Sequence, residues 1–308
     1  MEAFMLTGNS DELNFFTPSL EDYPKIKKFL TPFAEKSISC EITPMTLLIW
    51  KNYYHQKIAF YEDIMFVSIG ENSEIFLLPF ADDMEKAVNI LKKITLSENR
   101  KLIFLAAEGI RLDVFNNRFS EYFSQNESRD DFEYLYLTEN LKNLKGKKYH
   151  SKRNHVSAFS KAYNWSYERL TPSILPEVFE MADKWTAEMK KHTDDTKSVE
   201  VENASLKEYL PYMEKLNLRG GCIRVEGEIV AFTFGSPINS KVFDIHVEKA
   251  LPQYRTAYTL INREFVSHEL SDFQYVNRED DMGLEGLRKA KLSYHPDILL
   301  KKYIIEEL

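Results

Sequence analysis

The sequence predicts a mixed α/β protein, α+β in class, built as two similar halves whose mixed, mostly antiparallel sheets are flanked by helices. Three observations predict it. Helix-like and strand-like segments follow one another along most of the 308 residues. The order helix, helix, hairpin, then alternating strand and helix, occurs in the first half and returns in the second. Both runs open on Thr-Pro-Ser before a helical pattern, at Thr17–Ser19 and Thr171–Ser173.

In the first half, "TPSLEDYPKIKKFLT" places Tyr23, Ile26, Phe29 and Leu30 at helical spacing after a Pro-Ser start. "TPMTLLIWKNYYH" reads as a second, short helix. "KIAFYEDIMFVSIG" and "EIFLLPF" read as strands with turns at Glu62-Asp63 and Gly70–Asn72. "DDMEKAVNILKKITLSE" opens on acids and carries its lysines later, as a helix dipole favours. "KLIFLAA" is a buried strand, "EGIRLDVFNNRF" a helix and "YLYLT" a short strand. The acidic "NESRDDFE" gives way to "LKNLKGKKYHSKRNHVSAFSK", which holds no acid. This change of sign sets a boundary near Thr138 to Gly146 and two domains, 1–140 and 141–308. In the second half, "LTPSILPEVFEMADKWTAEM" and "ASLKEYLPYMEKLN" are helices. "RGGCIRVEGEIVAFTFGSPI" is a hairpin turning at Glu226-Gly227. "KVFDIHVEKA" is a strand, "RTAYTLINREFVSHEL" a helix, "FQYVNRE" a strand, "GLEGLRKAKLSY" a helix and "ILLKKYIIE" a last strand.

Composition narrows the class of protein. Phe and Tyr are abundant, at 21 and 17, which disordered chains lack. A net charge of -8 argues against a protein that coats nucleic acid all over, while leaving room for a local basic patch. Two cysteines, Cys40 and Cys222, imply no disulfide framework. No apolar run approaches the roughly 18 residues of a membrane span, and "MEAFMLTGNSDEL" carries acids where a signal peptide is basic. A cytoplasmic location is expected. No GxGxxG or GxxxxGK[ST] occurs, so no nucleotide-binding loop is indicated.

Three stretches carry candidate chemistry. In "DIHVE", strand alternation sets Asp244, His246 and Glu248 on one face. An imidazole between two acids suits a general base, with His246 the candidate and the acids beside it. The same alternation describes a polar outer face equally well, and a single His between acids is a weak metal pattern, so no metal is expected. In "NREDDMGLEGLRKAKLSYHP", an Asp280 or Asp281 cap opens a helix near Gly283, with Arg288 and Lys291 on one face. Its plain reading is a solvated amphipathic helix. Its functional reading is an anion site, with Asn277, Arg278 and Glu279 leaving a strand end and Arg288, Lys289 and Lys291 supplying charge; the Arg288 fork is the best single anion ligand. "KGKKYHSKRNHVSAFSK" is either a solvated linker running into a helix or a phosphate-tracking patch, with Lys147, Lys148, Lys152, Arg153 and Asn154 as contacts. The aromatic Trp50, Tyr53 and Tyr54 belong to a core or line a groove.

The order of elements resembles the GNAT acyltransferase fold used twice. "LKGKKYHSKRNHVSAF", "DIHVEKALPQYRTAYTLINREF" and "YVNREDDMGLEGLRKAKLSYHP" look like signature blocks of soluble proteins related to the C-terminal domain of phosphatidylglycerol lysyltransferase, which are similar to Fem-type aminoacyl transferases. The resemblance covers nearly the whole chain. It implies that "KVFDIHVEKA" is the central strand and "FQYVNRE" a neighbour that splays away to admit the donor. GNAT enzymes using acyl-CoA carry Q/R-x-x-G-x-G/A at the turn that here reads Gln253 to Tyr258, with Thr256 and Tyr258 where the glycines stand. That departure fits an aminoacyl-tRNA donor better than acyl-CoA, and leaves CoA open because a helix start next to Arg255 still attracts phosphate. The resemblance firmly implies no cofactor.

The expected function is a soluble acyltransferase moving an aminoacyl group from aminoacyl-tRNA to an amine or hydroxyl, on a lipid head group, a peptide or a small molecule. Partners would be tRNA and an anionic lipid surface or small acceptor, in an oligomeric state the sequence leaves open. The alternatives are a CoA-dependent N-acyltransferase and a non-catalytic GNAT-fold module binding a phosphorylated ligand.

Overall fold

In the computed structural model, which describes residues 13–193 and 195–308, the strands form two sheets. The opening stretch weighed above as a possible signal peptide lies, up to Glu12, outside the described residues. Helices α1 (Tyr23–Ala34) and α2 (Pro44–Trp50) come first. Ser19 and Asp22 form a reciprocal capping box just before α1, and Thr43 caps α2 through the Thr46 amide. Strands β1 (Lys57–Tyr61) and β2 (Ile64–Ile69) make a hairpin, followed by β3 (Ile75–Leu77), α3 (Met84–Ser97) and β4 (Ile103–Ala107). The chain continues through α4 (Ile110–Phe119), β5 (Phe123–Glu127) and β6 (Glu133–Leu137). Next come α5 (Thr138–Asn143), α6 (His150–Ala162), β7 (Trp165–Arg169), α7 (Leu175–Met189) and α8 (Thr196–Tyr209). The hairpin β8 (Arg219–Val225) and β9 (Glu228–Pro237) leads to β10 (Val242–Ala250), α9 (Ala257–Glu269) and β11 (Tyr275–Asn277). Helix α10 (Glu285–Leu292), β12 (Ile298–Leu300) and β13 (Lys302–Glu307) close the chain.

The duplication is visible in the pairing. In each half a hairpin is followed by a third strand, a helix, and a fourth strand parallel to the third: β3 with β4 across α3, and β10 with β11 across α9. The other ladders are antiparallel. This is the GNAT-like arrangement, present twice. The first sheet runs β1-β2-β3-β4-β13-β5 and the second β12-β6-β11-β10-β9-β8-β7.

The sheets exchange strands. A cut at residue 140 leaves β6 with the first half, although it pairs with β11 and β12. It leaves β13 with the second half, although it pairs with β4 and β5. The single last strand expected over "ILLKKYIIE" is two strands, because the chain steps between sheets at Lys301. Strand β5 carries too little alternation to be read from sequence, and in β7 the alternation of Trp165 and Tyr167 with polar residues is too short to stand out. The sheets share a core, in which Leu135, Val242 and Leu300 pack with Ile58, Met65 and Val67. A large aliphatic side chain fully buried in this way contributes about 1.5–3 kcal/mol.

At the crossing stands a buried ionic node. Lys302 Nζ lies 3.0 Å from Glu133 Oε1 and 3.3 Å from Glu41 Oε1. Glu133 also accepts from Ser39 Oγ at 2.6 Å, the Cys40 amide at 2.8 Å and Asn277 Nδ2 at 2.5 Å. Burial works against the Glu133 charge, but Lys302 and these donors outweigh it and hold its pKa below the ordinary value. Removing one partner from such a buried pair strands the other charge. Lys302→Met is expected to cost roughly 3–5 kcal/mol, measured by urea unfolding. The double variant Lys302→Met/Glu133→Gln should recover part of that loss, and equal losses in the two would show that the node carries no charge coupling.

Candidate functional site

Strands β10 and β11 pair only from Val242 to Asp244 against Tyr275 to Asn277. Strand β10 then continues to Ala250 along β9, while the chain after Asn277 turns away. The result is a wedge between a long strand and a departing segment. Glu279 turns in the left-handed region, at φ +53°. Asn277 Oδ1 holds this turn by accepting from the Glu279 amide at 2.8 Å, and the Tyr134 amide donates to the Glu279 carbonyl at 3.2 Å. A non-glycine residue persists in that region only where its surroundings over-determine it, as these two hydrogen bonds do here.

On the α2 side of the wedge, Glu279 meets His246. His246 Nδ1 is 3.0 Å from Glu279 Oε1 and 3.4 Å from Asp244 Oδ2, and His246 Nε2 is 2.8 Å from Ser236 Oγ. Trp50 Nε1 of α2 donates to Glu279 Oε2 at 3.3 Å, and Thr46 Oγ1 lies 3.4 Å from Asp244 Oδ2. The His246 and Asp244 side chains are enclosed, while Glu279 keeps 13% of its side chain exposed. Glu279 is therefore the open end of the row. Burial, then Glu279 and Glu133, push the Asp244 pKa well up, and its Oδ1 has no hydrogen-bond partner. Asp244, His246 and Glu279 also form a group whose ligand atoms lie within 4.8 Å of one another, close enough to hold a metal ion.

The expected row of Asp244, His246 and Glu248 on one face is corrected. The β9–β10 register slips between Ile245 and Val247, a β-bulge at His246. Ile245 packs in the core beneath α9, Val247 in the core beneath α7, and Glu248 faces α9. Gly235 permits the close approach at this point, since a Cβ there would sit 1.9 Å from the Asp244 carbonyl oxygen.

On the α9 side, Glu248 is held by Arg278 Nη2 at 2.8 Å and by Asn262 Nδ2 at 2.9 Å. Tyr294 faces the Arg278 guanidinium, 4.8 Å from the ring centre, and Lys152 Nζ, 3.6 Å from it. Burial, and then Arg278, push the Lys152 pKa down to about 8. Tyr258 accepts from Trp185 Nε1 at 3.0 Å. Arg255 is exposed in the turn before α9.

The charged stretch after the wedge closes on itself. Arg288 holds Asp281 with Nε at 2.9 Å and Nη2 at 2.7 Å, and also reaches Asp130 at 2.5 Å. Its fork is occupied, which corrects its reading as an open anion ligand. Asp281, fully buried, also accepts from Tyr134 and Arg129. Lys291 is buried and donates to the carbonyls of Arg278 and Asp280. Lys289 is exposed. Helix α10 starts at Glu285 with no side-chain cap, two residues later than an aspartate cap near Gly283 requires.

A family profile described as "Phosphatidylglycerol lysyltransferase, C-terminal" matches residues 40–306. The chain belongs to this family. A conserved protein from Bacteroides thetaiotaomicron is 32% identical, with 96% of this chain and 100% of that one covered and a TM-score of 0.84. L-PGS from Bacillus licheniformis is 12% identical, with 94% and 92% covered and a TM-score of 0.63, a likeness of fold. An uncharacterised protein of Mycoplasmoides gallisepticum is 24% identical over 200 residues, and the match spans 64% of this chain and 62% of that relative's length.

Within this lysyltransferase-domain chain the basic run splits in two. Lys147 and Lys148 are exposed. Arg153 donates to the carbonyls of Leu144 at 2.5 Å and Gly146 at 2.7 Å, so it caps the end of α5 rather than waiting for phosphate. Asn154 pairs with His150 at 3.2 Å on the exposed face of α6. Lys152 points inward to the wedge. Among the described residues no helix is long and apolar enough to cross a membrane. Sequence reasoning missed Ser236, Thr46 and Asn262, which no local spacing links to His246 or Glu248.

Asp280 adds a titration. Burial pushes its pKa up to about 6, against the pull of Lys302 and Lys291. A raised acid binds its proton more tightly in the folded state, so its contribution to stability falls as pH rises from about 4 through 6. Asp280→Asn is expected to stabilise the protein more at pH 8 than at pH 5, measured as the shift of the urea midpoint. An equal shift at both values would contradict the raised pKa.

Proposed function

We propose that this chain transfers an aminoacyl group from aminoacyl-tRNA to an amine or hydroxyl acceptor, with reaction at the wedge between β10 and β11. The observation that carries the reading is the row Glu279, His246 and Ser236, set where the two strands part. The acceptor loses its proton to the Glu279 carboxylate, the exposed member, as its nitrogen or oxygen attacks the donor's carbonyl. His246 fixes that carboxylate through Nδ1–H, and Ser236 fixes the imidazole tautomer by donating to Nε2, an assignment the hydrogen-bond partners imply. Asp244 Oδ2 stands 3.4 Å from the same Nδ1. As the ester bond breaks, Glu279 returns that proton to the leaving ribose oxygen, which restores the carboxylate. Family membership and the shared fold support transfer chemistry.

The wedge also bears on the donor. Arg278 and Glu248 bridge the gap in which a GNAT enzyme would lay an acyl-CoA arm, and Tyr258 stands at a position that pattern gives to a small residue. Both favour a donor that presents only its acyl end. The exposed Lys147, Lys148 and Lys289 would meet the phosphates of the tRNA, where each contact adds salt dependence. The same lysines suit an anionic lipid surface if the acceptor is a lipid head group.

Glu279→Gln is expected to lower the single-turnover rate from charged bulk tRNA to the acceptor by about 10²–10⁴-fold, with the unfolding midpoint little changed. His246→Gln should lower it less, because it acts through Glu279. Acceptor pools of lipid, peptide and polyamine would be supplied in parallel with acetyl-CoA as the rival donor. Turnover of acetyl-CoA without tRNA, or a Glu279→Gln rate equal to that of the unaltered protein, would refute the reading.

A further inference from the structure

The α9 side of the wedge holds more positive charge than it neutralises. Arg278 and Lys152 face one buried ring, Tyr294, and the one carboxylate bonded there, Glu248, is held by Arg278. Lys152 is buried, and nothing among the described residues pairs with its Nζ beyond the ring face. Both residues that hold Glu248 keep a second polar atom buried and without a hydrogen-bond partner: Arg278 Nη1 and Asn262 Oδ1. Asn262 is fully buried. Leaving such atoms unmade costs about 1–3 kcal/mol each, and two of them beside one carboxylate call for a partner.

The chemistry of the missing partner follows from the unfilled atoms. Arg278 Nη1 and Lys152 Nζ are donors with surplus positive charge, so they call for an anionic oxygen. Asn262 Oδ1 is an acceptor and calls for a neighbouring O–H or N–H on the same molecule. We propose that this face is an oxyanion subsite, which grips a phosphate or carboxylate group of a substrate between Arg278 and Lys152 while Asn262 Oδ1 accepts a hydrogen bond from a neighbouring O–H or N–H of the same substrate. The subsite is separate from the Glu279–His246 row on the opposite face, and its occupancy is measurable with no transfer reaction.

Calorimetric titration of the full chain tests it, with inorganic phosphate and acetate as separate probes at constant ionic strength. Saturable binding of phosphate supports the subsite and points to a phosphate ester as its source; binding of acetate alone supports it with a carboxylate as the source. In either case Lys152→Met, which keeps the packing on Tyr294, is expected to weaken binding about tenfold, and the exposed control Lys93→Met on α3 is expected to leave it unchanged. If Lys152→Met does not fold, Arg278→Lys keeps a charge beside Glu248, removes the second donor, and carries the same expectation. Failure of both anions to bind at millimolar concentration, or equal weakening by Lys152→Met and Lys93→Met, would overturn the proposal.

Discussion

The buried pair of Lys302 and Glu133 is the constraint on which the rest of the structure depends. Each residue opens a strand that belongs to the sheet of the other half, so the pair marks the place where the two sheets trade strands. A buried ion pair is a weak source of stability compared with apolar packing, because both charges lose their water. Its value here is positional. Glu133 has its oxygens filled by Lys302, Ser39, the Cys40 amide and Asn277, donors from three separate parts of the chain. A strand shifted by one residue would leave a charge without these partners, so the node selects one register for both sheets.

From that node the geometry passes to the wedge through one side chain. Asn277 gives its amide hydrogens to Glu133 and to the Ile38 carbonyl, and its oxygen receives the Glu279 amide. The strained turn at Glu279 is thus fastened to the crossing of the sheets. The charged segment beyond it is tied down by Asp281 with Arg288, and by Lys291 on the backbone carbonyls of Arg278 and Asp280. Charge that reads as a ligand-binding run is largely consumed in holding this irregular backbone. Irregular segments lack a ladder to satisfy their carbonyls and amides, and long cationic side chains serve in its place.

This explains why the sequence disclosed the fold more fully than the site. Helical stripes such as Ile26 and Leu30, or Met84, Val88 and Leu91, are set by local periodicity and appear where expected. The bulge at His246 is set by Gly235 on the neighbouring strand, so strict alternation across "DIHVE" misplaced Glu248. The partners of Arg288 are Asp281 and the distant Asp130, and those of Arg153 are carbonyls at the end of the preceding helix, and neither set is marked by spacing. Tertiary pairing decides whether a cation is free, and spacing shows only that it is present. Lys152 was singled out for its place in a basic run, yet its burial against Tyr294 depends on a residue more than a hundred positions away.

The wedge has two chemically distinct faces joined by a single peptide unit. Arg278 turns toward α9 and Glu279 toward α2, so neighbouring side chains serve opposite sides of the gap. A group bound at Arg278 would draw on the same backbone whose carbonyl Lys291 holds, and whose next residue carries the proposed proton acceptor. Separation of this kind suits a transfer reaction. One face can hold a charged substrate group while the other handles the proton, and neither has to compromise its electrostatics. Positive charge on the α9 face and carboxylates on the α2 face would repel each other's ligands, which fixes the direction in which a polar substrate can span the gap. Reversing the substrate would set an anion against Asp244 and Glu279. Orientation is thus selected by charge before any shape fit is needed.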